Sequence, residues 1–190
     1  LHGECRTYPA LAKEEDRQMV LQRSAVLLTT FCLVGCYQSE QSIISAGDAF
    51  QPLKPGRYCE QPVNKSTGEW ATRCEKEVVF TSGPGSAYSG DVEGWWRVMR
   101  IHRAPLGAGA FRGGYVTEAC ATAPRYEGAR CVIGVVEILA PDRFIWTGPE
   151  CNAKGDFCTV GSEPQVRQVF ASRLRYSYRK RSRYIWVASS

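Results

Sequence analysis

The last six of the chain's nine cysteines fall into three close pairs, Cys59/Cys74, Cys120/Cys131 and Cys151/Cys158. Each pair is centred on a turn-forming run. The first midpoint lies in Asn64–Gly68, the second in Pro124–Gly128 and the third in Asn152–Asp156. In an antiparallel hairpin, residues equidistant from the turn face each other. At a non-hydrogen-bonded position their Cα atoms lie about 4.5 Å apart, within disulfide reach. Six cysteines allow fifteen connectivities, and spacing alone does not choose among them. Symmetry about the turns favours the three neighbour pairings, and with them a chain built of hairpins.

The cysteines pair only in an oxidising compartment, and the N-terminal region supplies the reason to expect one. Met19–Arg23 is followed by the apolar run Ala25–Val34 and then by Gly35 and Cys36. A charged flank, a short apolar run and a small-residue end are the parts of a secretory signal. The apolar run is half the roughly twenty residues needed to span a bilayer. Its end, Leu33-Val34-Gly35-Cys36, resembles the lipobox of bacterial lipoproteins. The resemblance implies cleavage before Cys36, attachment of a diacylglycerol with palmitate-type chains to its thiol, and a place in the cell envelope. Tyr37 stands where inner-membrane retention would require Asp, which implies the outer membrane, facing the periplasm, if the source is Gram-negative.

The expected organisation follows. Residues 1–18 include the acidic run Glu14-Glu15-Asp16, which does not suit a signal, and are expected to be an over-extended N-terminus. Residues 19–35 are expected to be a signal peptide with a helical apolar run. The polar, small-residue segment 36–51 is expected to be a lipidated tether. Residues 52–190 are expected to form a single β domain. With Cys5, Cys32 and Cys36 assigned to the leader and the lipid, the six remaining cysteines are an even set.

Beyond Pro52, short β-rich runs alternate with Gly, Pro, Asn and Asp clusters, an all-β signature. Strands are expected near 57–61, 69–81, 94–103, 110–120, 130–139, 143–147 and 157–160. The run after Arg130 is apolar on both faces, with Val132, Val136 and Ile138 on one and Ile133, Val135 and Leu139 on the other. It therefore reads as a central strand, with Gly134 marking a bend. Ser162-Glu-Pro-Gln165 resembles a capping box and predicts a helix over 163–171. A hairpin is expected to close the chain, with strands at 174–178 and 183–187 and a turn around Arg179–Ser182. The fold class is all-β, a small antiparallel barrel or sandwich of about nine short strands.

Chemistry is sparse. Outside the leader, His102 is the lone histidine, and no CxxC or HExxH is present to hold a metal. No G-x-S-x-G elbow marks a nucleophile, so no cofactor, metal or catalytic residue is assigned. The carboxylate pairs Glu75/Glu77 and Asp91/Glu93 would each share a strand face. The glycine-rich runs 82–90 and 107–114 read as hairpin loops. Charge is the one asymmetry: residues 37–166 hold 13 Lys+Arg against 15 Asp+Glu, whereas 167–190 hold seven cations and no acid. Arg173, Arg175, Arg179, Lys180, Arg181 and Arg183 would suit an anionic partner. Behind a lipoprotein signal, that partner is anionic lipid, lipopolysaccharide or cell-wall polymer rather than nucleic acid. The balance leans away from an enzyme, toward a membrane-tethered binding or structural β module. The alternatives are an envelope hydrolase using scattered carboxylates and a small-barrel enzyme inhibitor.

Overall fold

The computed structural model describes residues 37–90, 98–121, 131–151, 158–172 and 178–189, and of Tyr178 and Arg179 only the strand position. The elements are β1 (Tyr37–Ser39), β2 (Ala49–Phe50), β3 (Gly56–Pro62), β4 (Lys76–Ser82), β5 (Tyr88–Gly90) and β6 (Val98–Pro105). They continue with β7 (Tyr115–Cys120), β8 (Cys131–Ala140), β9 (Arg143–Pro149), β10 (Cys158–Thr159), α1 (Glu163–Ser172) and β11 (Tyr178–Ala188). From β3 to β9 each strand pairs antiparallel with the next, and β11 pairs with both β9 and β3. The eight strands therefore close into a barrel, which removes their sheet edges. Three extra strands add to it: β2 on β6, β1 on β8, and β10 parallel to β1.

Alternation along each strand fills the interior. Tyr58, Val78, Phe80, Tyr88, Ile101, Val136 and Phe144 are buried in one cluster with Tyr184. Phe80 meets Tyr58 and Phe144 edge-on at 5.3 and 5.8 Å between ring centroids, and Phe144 stacks on Tyr184 at 4.7 Å. Burying one such ring contributes about 1.5–3 kcal/mol. Two tyrosines also close one end of the barrel. Tyr88 Oη accepts the Leu53 N–H at 2.6 Å, and Tyr58 Oη donates to the Lys54 carbonyl at 2.6 Å. Burial pushes the Tyr58 hydroxyl up to about 12 and raises that of Tyr88 further.

The opposite face of β7 and β8 is covered as well, as a strand apolar on both faces requires. Val166 and Phe170 of α1 pack there with Tyr37, Phe111, Val116, Ile133 and Val135. At the start of α1, Gln165 accepts the Gly161 N–H at 2.9 Å. Gly134 sits where β8 changes neighbours along one edge: residues 131–133 pair with β1 and 135–140 with β9. A Cβ at Gly134 would lie 2.7 Å from the Trp146 ring nitrogen, so the close approach requires glycine.

Three expectations are corrected. Residues 37–51 are not a tether: Tyr37, Ile44 and Ala49 are buried, and β1 and β2 join the sheet. Tyr37, Ile43, Ile44 and Ala49 find places on the outer layer, and Phe50 packs against the cluster of the barrel interior, despite the polar surroundings. The run around Arg179–Ser182 is not a turn but part of β11, because Glu60, Gln61 and Glu137 stand across from its cations. The expected partner strand at 174–178 lies almost wholly outside the described residues. Finally, the strand expected from Glu69 begins only at Lys76, and that expected from Ala110 begins only at Tyr115.

All three expected disulfides are present, Cys59–Cys74, Cys120–Cys131 and Cys151–Cys158. Only Cys120 and Cys131 face each other across a hairpin ladder, with Cα atoms 4.0 Å apart. Cys59 is opposite Glu77, and its bond reaches back to Cys74 in the loop before β4. Cys151 follows β9, and Cys158 opens the short parallel strand β10.

Candidate active site

Two carboxylates, Glu118 and Glu60, are buried in the barrel wall, and their surroundings differ in kind. Glu118 of β7 is 0% exposed. It lies on the outer face beneath the segment between β1 and β2. Its Oε2 accepts the N–H groups of Ile43 and Ile44 at 2.7 and 3.2 Å, and its Oε1 accepts the Ser42 hydroxyl and an Arg100 N–H, the latter at 3.3 Å. A Glu118 carboxylate oxygen and the sulfurs of Cys120 and Cys131 lie within 4.8 Å of one another. Two thiolates and a carboxylate would suit zinc, but here the sulfurs are joined in a disulfide, so they offer that donor set only when reduced.

This cluster corrects the leaning away from an enzyme. That leaning rested on finding no constellation of reactive groups in the sequence. The fold gathers a fully buried acid with a cysteine pair, and buries further charges elsewhere, which is the setting in which functional sites occur. Spacing could not reveal it, since three of the four donors to Glu118 come from some 75 residues away. The one available signal was an acid sharing a strand face with Val116 and Cys120.

Glu60 lies on the inner face of β3, at the barrel end opposite the Tyr58 and Tyr88 closure. It is 3% exposed. Alternation on β11 brings Lys180, Ser182 and Tyr184 to the same face. The Lys180 ammonium is 2.6 Å from Glu60 Oε1, and the Ser182 hydroxyl donates to that oxygen at 2.8 Å. Tyr184 is the ladder partner of Glu60 and hydrogen-bonds to it. Burial, and then the neighbouring Glu60 charge, hold the Tyr184 hydroxyl well above the usual tyrosine range. A 2.6 Å ammonium–carboxylate contact is short and charge-assisted. The Lys180 side chain is 55% exposed, so solvent reaches the cluster along it.

A groove opens in the connection from β3 to β4, directly after the strand that carries Glu60. It has a volume of about 420 Å³ and is lined by Pro62, Asn64, Thr67, Glu69, Trp70 and Thr72, among others. Pro62 is also the ladder partner of Ser182, which ties groove and cluster together. On the outer wall, Arg181 and Arg183 lie 5.3 Å from the Trp70 ring. Arg183 donates to Gln61 Oε1 at 2.7 and 3.0 Å, and Arg181 donates to Glu137 at 3.2 Å. The described cations of the basic segment are thus engaged by this chain's own side chains. Arg173 and Arg175 lie outside the described residues, as does Cys36.

Of the other expected groups, Glu75 lies beside the Glu60 cluster, where its charge adds to the upward push on Tyr184, and the rest stand apart from both carboxylates. His102 accepts the Ala104 N–H at its Nδ1, at 3.1 Å, and its Nε2 faces Glu163 at 3.6 Å. Arg167 completes that cluster, with its Nε 3.3 Å from Glu163 and a bond to the Ala104 carbonyl at 2.8 Å. These contacts pin α1 to the end of β6, and among the described residues no serine hydroxyl meets the ring. Glu77 pairs with Arg57 on the surface at 3.6 Å. Glu75 precedes β4, and its N–H donates to the Glu60 carbonyl, so the two do not share one strand face. Asp91 and Glu93 lie outside the described residues. The run at 107–114 connects β6 to β7 as a hairpin loop does, whereas of the run at 82–90 only 83–87 are loop and Tyr88–Gly90 form β5.

Comparison of the chain with protein-family models, curated proteins and solved structures found no match.

Proposed function

We propose that the protein is an enzyme of the cell envelope, a hydrolase working with the carboxylate of Glu60 at the open end of the barrel. One observation carries this reading: Lys180, Ser182 and Tyr184 converge on a single buried acid that solvent can still reach. Glu118 makes a poor alternative, because four donors already occupy its oxygens and the overlying segment seals it. Ligand sites occur at the mouths of β-barrels, and the aromatic filling of this one leaves its end, not its lumen, to a substrate.

In this reading Glu60 takes a proton from the attacking water or returns one to the leaving group. The Lys180 ammonium balances negative charge as it develops. The groove presents Asn64, Thr67, Glu69 and Thr72 beside Trp70. That lining suits a hydroxyl-rich chain, such as the glycan of a cell-wall polymer or lipopolysaccharide. The lipobox resemblance supports attachment to the membrane through a lipid on Cys36. Purified protein incubated with peptidoglycan and with lipopolysaccharide should release new reducing ends from one of them. Release from neither overturns the reading.

A further inference from the structure

We infer that the barrel end opposite Glu60 is a membrane-docking surface that rests on anionic phospholipid headgroups. Three segments meet there. The Lys54 N–H donates to the Pro141 carbonyl at 2.7 Å, the Trp186 N–H to the Asp142 carbonyl at 2.9 Å, and the Trp186 ring N–H to the Pro55 carbonyl at 3.2 Å. Among the described residues the exposed large hydrophobic side chains are Leu139, at 54%, and Val187, at 50%, and both stand at this end. Around them the Lys54 ammonium lies 3.4 Å from the centre of the Trp186 ring. Arg57 and Arg143 are exposed nearby, against the acids Asp142 and Glu77.

This combination fits a bilayer interface better than a protein partner. Tryptophan and lysine carry an apolar body and a polar tip, and settle at headgroup depth. Basic side chains are drawn to an anionic surface, and here Lys54, Arg57 and Arg143 outnumber Asp142 and Glu77. The patch is small, with two aliphatic side chains where a stable protein interface would bury on the order of 800 Å² per partner.

The direction of β1 supplies the second argument. Tyr37 pairs with Ile133 and Ser39 with Cys131, so β1 read toward its N-terminus runs the way β8 runs toward Leu139. Tyr37 is buried, so no tether separates the domain from the preceding residue. That residue is Cys36, and this part of the inference rests on its being the lipid anchor. β1 thus points from the domain toward the β8–β9 turn, and a lipid fixed there favours that end over the Glu60 end as the one facing the bilayer. The Glu60 end then faces away from the membrane, toward the polymer that the hydrolase reading gives it.

The test uses residues 37–190, which hold every element of the barrel and neither Cys36 nor the apolar run 25–34, and vesicles of phosphatidylglycerol and phosphatidylethanolamine. With wild-type side chains this chain should bind at low salt, and bind purely phosphatidylcholine vesicles more weakly. Leu139→Glu with Val187→Glu should weaken binding about tenfold or more, from lost insertion and added repulsion. Lys65→Glu, at the other end, should leave it unchanged. Hydrogen exchange needs no variant at this end: residues 139–143 and 185–188 should slow on adding vesicles, and 63–72 should not. Equal binding by the double variant, or unchanged exchange in both segments, overturns the inference. Mass measurement of the cell-derived protein tests the anchor separately. A lipid on Cys36 with unchanged exchange removes the docking surface alone. An unmodified Cys36 with slowed exchange removes only the anchor.

Discussion

Glu118 on β7 accepts the backbone N–H of Ile43 at 2.7 Å, joining two parts of the chain 75 residues apart. The bond holds the segment between β1 and β2 against the barrel wall, with Ser42 and Arg100 on the same carboxylate. Glu118→Ala would leave the buried N–H groups of Ile43 and Ile44 and the Arg100 guanidinium without their acceptor. Removing one partner of a buried ion pair costs about 3–5 kcal/mol. A lower denaturant midpoint, with faster amide exchange across 40–46, is the expected outcome. Exchange unchanged in that segment would show that something else holds it.

Alkaline pH should unfold the barrel earlier than an ordinary β domain. Burial raises Tyr58 to about 12 and moves Tyr88 and Tyr184 upward too, whereas an unfolded tyrosine ionises near 10. Above pH 10 the unfolded chain therefore binds fewer protons than the folded one, and stability falls as pH rises. The loss begins near pH 10 and, for Tyr58, runs to about 12. Denaturant midpoints measured at pH 8, 10 and 11 should drop between the last two. Tyr58→Phe should flatten that drop, while lowering stability at pH 8 through loss of its bond to Lys54.

The Cys59–Cys74 bond closes a loop with a sequence separation of 15. In the chain-entropy model such a loop contributes roughly 3 kcal/mol. Replacing both residues with serine should lower stability by about that amount and loosen residues 63–75, the wall of the groove. Peptide mapping without reductant should recover the three neighbour pairs. Cys59 found linked to any cysteine other than Cys74 would contradict the path of this loop.

Several features were legible in the residues and others were not, for physical reasons. β8 announced itself as central because both of its faces are apolar; one is covered by the barrel interior and the other, at Ile133 and Val135, by α1 and β1, while Leu139 on that face stays exposed. The cysteine pairs were legible from the turns between them, although only Cys120 and Cys131 use the ladder geometry that suggested the pairing. Residues 37–51 misled because scattered apolar side chains among polar ones carry little periodicity, yet Tyr37, Ile44 and Ala49 are buried and dock them. Arg179–Ser182 misled because clustered cations read as a turn until their partners on β3 and β8 are known. Glu60 and Glu118 stayed hidden for a related reason. A strand acid shows its burial only through the strands beside it, and no sequence spacing records which those are.

The hydrolase reading stands or falls on Glu60. The most direct measurement is kcat/KM of Glu60→Gln on the envelope polymer that the wild-type protein cleaves, with Lys180→Met in parallel and thermal unfolding recorded for both. Glutamine keeps the size and the bonds from Ser182 and Tyr184 but cannot take a proton. The expected result is a fall of about 10²-fold or more for Glu60→Gln, the usual contribution of a general acid–base group, in protein that still unfolds cooperatively. A wild-type rate in folded Glu60→Gln would contradict the account.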